Sequence, residues 1–420
     1  MLRSFSIYRE TNIIKICLYG FMSGMSLLLS GNTINFWLAS FGIDTKIIGL
    51  FSCIAMPYAF KYFIALFIDH HQISYIGEKI GHHKSWLIFS QLMITLTLIF
   101  TSFLTPNQNL WLIALSGFLI AMFAIIQDIV LNANRIKILN VYQQPAGTAM
   151  YSLGYRLGML FSGAGVIFAS IYLSWSIIYL GLAIAYILLT ILIFYIYKEP
   201  EGLNQDHIIF KNDKSIWYNI FIQPFQHFLA LKNFIWVILF IIIYRLADNM
   251  LIVMLNPFLL KIGYTAVEIA SISKFFGTIM VIIGGIISAP IINKFNIRNS
   301  LIGFSILHIF GHLLFIILNL TGKNISLLYF ITAYEALTGG MAMTAYISFI
   351  SGLCKGKHVA TQYALLSSGM GASRAIFPIA SGMIVDYYGW LYFFIIISFL
   401  SAVTILFTYL MPKHLYKRLV

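Results

Sequence analysis

Charge is what this sequence has least of. Of its 420 residues only 9% are Asp, Glu, Lys or Arg, against roughly 25% in soluble domains. A chain that is 60% hydrophobic has too little polar surface to face water on all sides. A soluble globular fold is excluded on that ground. Cysteine is scarce as well. Cys17, Cys53 and Cys354 show no paired or metal-type spacing, so neither a disulfide framework nor a thiolate metal site is expected. The signatures GxxxxGK[ST], HExxH, GxSxG and CxxC are all missing. An ATP-driven pump therefore has nowhere to bind nucleotide, and a polytopic membrane enzyme ranks last among the functions considered. No motif calls for a metal or cofactor, which leaves a gradient as the energy source, or none. The opening MLRSFSIYRE is a poor signal peptide, because the apolar stretch after it runs on as a long, polar-dotted helix.

What is present is a series of apolar runs near the ~20 residues that cross a bilayer. They predict an all-α polytopic membrane protein with twelve spans, at roughly 13–40, 46–68, 85–104, 109–135, 145–170, 174–197, 231–260, 267–290, 299–319, 325–352, 360–386 and 389–411. The polar stretch KEPEGLNQDHIIFKNDKSIWYN divides the chain near its middle. It predicts an N-terminal six-helix bundle over 1–197, a cytoplasmic linker over 198–230 and a C-terminal six-helix bundle over 231–420. The net charge of +13 does not signal nucleic acid, because the basic residues sit in small groups between apolar runs. About 17 Lys and Arg fall on one side of the membrane, against only Lys46, Lys261 and Lys323 on the other. By the positive-inside rule both termini are cytoplasmic.

A weak internal repeat supports two like halves. FGIDTKIIGLF opens the second span and IGYTAVEIASI the eighth. GYRLGMLFSGAGVIFASIYLSW in the first half echoes GASRAIFPIASGMIVDYYGW in the second. Repeats in the same order and orientation are one of the known transporter plans.

The remaining charges lie inside spans: Lys61, Asp128, Arg135, Arg156, Arg245, Asp248, Lys274, Glu335 and Arg374. A charge at mid-bilayer costs at least ~2.5–3.5 kcal/mol, so such residues face a protein interior or a wet cavity. The third, sixth, ninth and twelfth spans carry none. Those four are expected on the outside of two bundles around a central cavity. This distribution points to the major facilitator arrangement.

Helical spacing places Asp128, Asn132 and Arg135 on one face of the fourth span, and Arg245 within reach of Asp248. Structural ion pairing remains open for Arg245–Asp248, as does a simple end-marking role for Arg135 beside Lys137. The functional reading gives substrate binding to Arg156, Arg245, Arg374, Asn132 and Gln127. It gives proton coupling to Glu335, Asp128 and Asp248, and gating to Arg135 and Lys274. Basic residues outnumber acids in this set, which favours an anionic substrate, with arginine suited to carboxylates. Glu335 has no charged neighbour in its own span and is the preferred proton site. The glycines of GFMSG and GYRLG read as close helix packing. The loop IDHHQISYIGEKIGHHKSW reads as a latch between helix ends, its His pairs as solvated rather than metal-binding. His308 and His312 share a face of the ninth span, but nothing acidic is near them in sequence.

Several stretches together resemble one family. These are QDIVLNANR, AGTAMYSLGYRLGMLFSG, YRLADN, EALTGGMAMTAYISFISGLC, ATQYALLSS and GFMSGMSLLLSGNTINFWLASFGIDTKIIGLF. The chain resembles the AmpG-type muropeptide permeases of the major facilitator superfamily from about Gly20 to Phe394. A monomer is expected, and the resemblance implies a protein of the bacterial inner membrane. It also implies import of GlcNAc–1,6-anhydro-MurNAc, with or without peptide, for peptidoglycan recycling, driven by the proton gradient with no cofactor. Trp37, Tyr155, Tyr244 and Tyr363 would offer faces for the sugars, or simply pack. Two departures stand out: Asn132, where the resemblance implies a second acid, and Gln143–Gln144, where it implies an acidic loop. Two alternatives stay open. One is a transporter of the same fold for another organic anion, peptide or amino sugar. The other is a non-transporting membrane receptor.

Overall fold

A computed structural model of the chain describes residues 2–43, 47, 51, 54, 56–73, 76–198, 234–354, 359–412 and 415–416. Among these residues every regular element is a helix. Ten helices are long and apolar enough to cross a membrane. Numbered by the twelve expected spans, they are the first (Thr11–Ser40), third (His82–Ser102), fourth (Leu110–Ile138), fifth (Gln144–Ala169) and sixth (Trp175–Ile196). In the second half they are the seventh (Phe234–Ile262), eighth (Ile269–Phe295), ninth (Ile297–Thr321), tenth (Ile325–Leu353) and, for the twelfth, Ala380–Leu410. The expected second span is described as the helices Met56–Ala59 and Lys61–His70. The expected linker, from residue 199 on, lies outside the described residues.

The eleventh and twelfth spans form one helical run, Val359–Leu410, of 52 residues. At ~1.5 Å per residue this is ~78 Å, far more than a hydrocarbon core of ~30 Å. Gly389 divides it, with φ 82° and ψ 175°. That backbone lies in the left-handed range that suits glycine.

Bare apolar side chains face outward on the third, sixth, ninth and twelfth spans, among them Leu96, Leu188, Phe310 and Phe399, and equally on the others, among them Trp111, Phe168, Ile235 and Phe275. The core divides in two along the sequence. Two apolar clusters are built almost wholly from residues 7–197 and two from residues 234–416.

Glycine sets the tightest contact in the first half. A methyl group built at Gly154 would stand 1.8 Å from the Cys17 carbonyl oxygen, and one at Gly24 would stand 1.9 Å from that of Tyr155. Gly20 and Gly158 are as close to backbone. The first and fifth spans therefore touch main chain to main chain, as the two small-residue repeats predict. Gly284 and Gly340 do the same between the eighth and tenth spans. Overpacking of this kind costs ~1–3 kcal/mol, and more where only backbone is available to move. Gly154→Ala is expected to lower the melting temperature of the purified protein by several degrees. Gly181→Ala, where a Cβ meets nothing within 4 Å, serves as the neutral control in the same melt.

The two sets of helices meet at the end that carries both termini. The fifth span packs on the eighth and tenth, and the fourth span and the Lys61–His70 helix pack on the eleventh. Tyr8 donates to the Ile286 carbonyl at 2.6 Å. The Asp69 carboxylate accepts from the Thr361 amide at 3.0 Å and from its hydroxyl at 2.6 Å. The bundle is closed at this end. The loop expected to act as a latch does bridge the halves, through Asp69. Its second His pair is not solvated, however: His82 and His83 are buried, with His82 Nε2 2.8 Å from the Ile68 carbonyl and His83 beside Asp69.

Candidate functional site

The fourth span carries the first polar stripe. Its helix continues to Ile138, past the predicted boundary, so Asp128, Asn132 and Arg135 all lie on regular helix. Asp128 pairs with Lys61 of the second span at 2.5 Å. It also accepts from Tyr151 of the fifth span at 2.7 Å and from the Asn132 amide at 3.0 Å. The same amide nitrogen lies 3.0 Å from the Tyr151 hydroxyl. Asn132 thus solvates the carboxylate, where a second acid would repel it. The stripe is one connected network across three spans.

Arg135 extends the network to the other half. Its side chain is wholly buried. One guanidinium nitrogen donates to Thr148 of the fifth span at 2.9 Å, and another to Ser351 of the tenth at 3.0 Å. Its flat face lies between the rings of Tyr151 and Tyr363, 5.4 and 5.5 Å from their centroids. Each half supplies one hydroxyl and one ring. Such a position does more than mark a helix end. Beneath it, at the surface, Ile136, Tyr142, Asn293, Ser348 and Cys354 line a cavity of about 400 Å³.

The second half carries its own cluster. The seventh span breaks at Arg245 (φ −108°, ψ 8°), which leaves Asp248 in the first turn of the helix Leu246–Ile262. A carboxylate there favours the exposed amides and dipole of the helix start. Arg245 and Asp248 form the expected contact. Two histidines join them from the ninth span. His308 Nε2 lies 2.8 Å and His312 Nε2 3.4 Å from the same Asp248 oxygen. Glu335 of the tenth span stands 4.0 Å from His308. The carboxylates of Asp248 and Glu335, distant in sequence, are therefore the acidic neighbours that the His308–His312 pair lacked. The signal in the sequence was the i, i+4 spacing on one face. What it did not carry was the folding of the seventh and tenth spans onto that face.

The other candidate residues separate. Gln127 is wholly buried and donates to the Met22 carbonyl at 3.0 Å, so it ties the fourth span to the first and faces no open surface. Arg156 is half-buried, forms no ion pair among the described residues, and leaves its Nε without a hydrogen bond. It lies two residues from Gly154, about 200° around the helix, and so points away from the first span. Lys274 is exposed on the eighth span. The side chain of Arg374 lies outside the described residues. Of the aromatic candidates, Trp37 packs against Trp175 and Tyr179, and Tyr244 stacks on Tyr346 at 5.0 Å.

The comparisons with known proteins agree with this architecture. A family model described as Major Facilitator Superfamily matches residues 16–351 and 308–418. "Putative transporter AmpG 1" of Rickettsia conorii is 40% identical over 398 residues, 93% of this chain and 95% of that protein. "Putative transporter AmpG 4" of the same organism is 31% identical over 96% of this chain and 98% of that protein. Among solved structures, the transporter FucP in its outward conformation superimposes with a TM-score of 0.67 over 95% of this chain and 99% of its own, at 15% identity. The chain therefore belongs to the Major Facilitator Superfamily of transporters, among the relatives named AmpG, and is a multi-pass membrane protein.

Proposed function

We propose that this transporter imports anhydromuropeptides, GlcNAc–1,6-anhydro-MurNAc with or without peptide, across the bacterial inner membrane, with protons. Both termini then face the cytoplasm, and the two six-helix halves rock about a central site as a monomer. The observation that carries the reading is Arg156, a half-buried guanidinium on a membrane-spanning helix with no carboxylate paired to it among the described residues. Burying a cation without a partner is costly. A carboxylate-bearing substrate supplies the missing partner, and a muropeptide has several. Kinship with AmpG-named transporters supports the same cargo. Arg245 and Arg374 complete the anion site in this reading, Asn132 lines it, Asp128, Asp248 and Glu335 serve the proton, and Arg135 and Lys274 gate.

The test is uptake of labelled GlcNAc–anhydro-MurNAc-tripeptide into proteoliposomes, with and without an inward proton gradient. Accumulation above equilibrium only with the gradient is expected. Equilibration that ignores the gradient sinks the symport, and no uptake sinks the cargo. In the same assay Arg156→Ala is expected to raise the apparent KM about 10- to 100-fold, as loss of a charged hydrogen bond of ~1.5–3 kcal/mol implies. An unchanged KM would remove Arg156 from the site. Asn132, an amide where the resemblance implies an acid, favours one second reading: another organic anion, peptide or amino sugar as cargo. Competition by unlabelled sugars and peptides separates the two.

A further inference from the structure

The ninth span contributes two rings, each with a hydroxyl at one nitrogen and Asp248 near the other. Thr338 Oγ lies 2.9 Å from the Tyr334 carbonyl and 3.0 Å from His308 Nδ1. Ser401 Oγ lies 3.0 Å from the Ile397 carbonyl and 2.9 Å from His312 Nδ1. With each hydroxyl turned to its carbonyl, each ring carries a proton on Nδ1, and that tautomer is itself tested below. At Nε2 they differ. His308 Nε2 lies 2.8 Å from Asp248 Oδ1, and two bare lone pairs would not approach so closely. A proton lies between them, on the ring or on the carboxyl. His312 Nε2 makes no hydrogen bond, and its lone pair stands 3.4 Å from that same oxygen.

We propose that His308 and Asp248 together hold one exchangeable proton, that His312 Nε2 is its next acceptor, and that Arg245 links this proton to an anionic substrate. The proposal rests on the organic-anion reading above. Arg245 contacts the second oxygen of Asp248. A substrate carboxylate at Arg245 competes with Asp248 for the guanidinium. Losing its cation, the aspartate gains proton affinity, so anion and proton bind together and leave together. Glu335 Oε1 stands 4.0 Å from His308 Nε2 and is less buried, which gives the proton an approach from the tenth span. Tyr244 and Ser305, hydrogen-bonded to each other at 3.3 Å, close the near side without adding charge. On release the proton passes from the Asp248–His308 pair, through the shared oxygen, to His312.

A divalent cation fits the same ligands less well, although they lie within 4.8 Å of one another. Ligands about 2.1 Å from a tetrahedral cation stand roughly 3.4 Å apart, wider than the 2.8 Å between Asp248 and His308. Arg245 already supplies a positive charge to that carboxylate.

Two measurements on the full chain test this. The first needs no substrate: ¹⁵N-histidine spectra of the protein in nanodiscs. A proton shared between His308 Nε2 and Asp248 is expected, with Nδ1 protonated as well, and is expected to be lost in Asp248→Asn. A neutral His308 with its proton on Nε2 and a bare Nδ1 overturns the proposal, as does a stoichiometric divalent metal that His308→Gln releases. The second measures transport of the labelled tripeptide. His308→Gln is expected to cut gradient-driven accumulation more than about tenfold while counterflow stays within about threefold, since coupling and carriage separate. An equal loss of both overturns the link to substrate. If the wild type carries no tripeptide at all, the cargo reading fails, and the spectra still decide the proton pair.

Discussion

Arg135→Met is expected to hold the chain closed at the end that carries its termini, and Arg135→Ala to let it open. Both follow from where the guanidinium lies. It is wholly buried, and no carboxylate pairs with it among the described residues. Its Nε is without a hydrogen bond. Closing therefore strips a cation of water and returns two hydroxyls and two rings. Methionine fills much of the same space without that dehydration, and replacing buried charge by apolar volume often stabilises by ~1–4 kcal/mol. Once the halves part, arginine is at home in water and methionine is not. Alanine instead leaves a hole between the halves and removes a charged hydrogen bond to Ser351 worth ~1.5–3 kcal/mol. A net ~2–4 kcal/mol corresponds to roughly a 30- to 700-fold shift in the equilibrium. Cys354 reports it, being buried at the same end and lining the surface cavity there. In a Cys17→Ser, Cys53→Ser background, its labelling is expected to slow with Met and quicken with Ala. Equal rates in all three proteins would take Arg135 out of the gate.

Asp128→Asn is expected to be the most destabilising single change in the first half. The asparagine keeps partners in Tyr151 and Asn132 but strands Lys61, whose only described ion pair is with Asp128. Breaking one side of a buried pair costs ~3–5 kcal/mol, because the other charge stays in place. Lys61→Met added to Asp128→Asn is expected to restore most of the melting temperature without restoring transport. A single variant that melts with the wild type would mean that Asp128 carries no charge in this fold.

The apolar runs and the placement of charges within them were enough to read the architecture. The described spanning helices fall where those runs predicted them, while bare apolar side chains appear on charged and uncharged spans alike. The glycine pairs at 20–24 and 154–158 read correctly for the same reason: a small residue acts over one helical turn, which the sequence displays. The site was harder. Lys61 meets Asp128 across 67 positions, Arg135 meets Ser351 across 216, and Asp248 meets His308 across 60. No local period encodes such pairings. They depend on how helices rotate against one another. Gln127 misled because a polar residue within a span can serve a neighbouring backbone carbonyl as readily as a cavity. His82 and His83 misled because a loop that crosses between helices buries its ends.

Gly389 has a consequence beyond ending a helix. The run from Val359 to Leu410 changes direction at that residue alone, with helix on both sides. Thr361 and Tyr363, near its start, belong to the closed end. Ser401, on the far arm, steadies His312 beside Asp248. The two arms meet at a one-residue joint, with no loop between them. Opening at Thr361 and Tyr363 is therefore expected to shift the far arm as well, and with it the seating of Ser401 against the His312 ring.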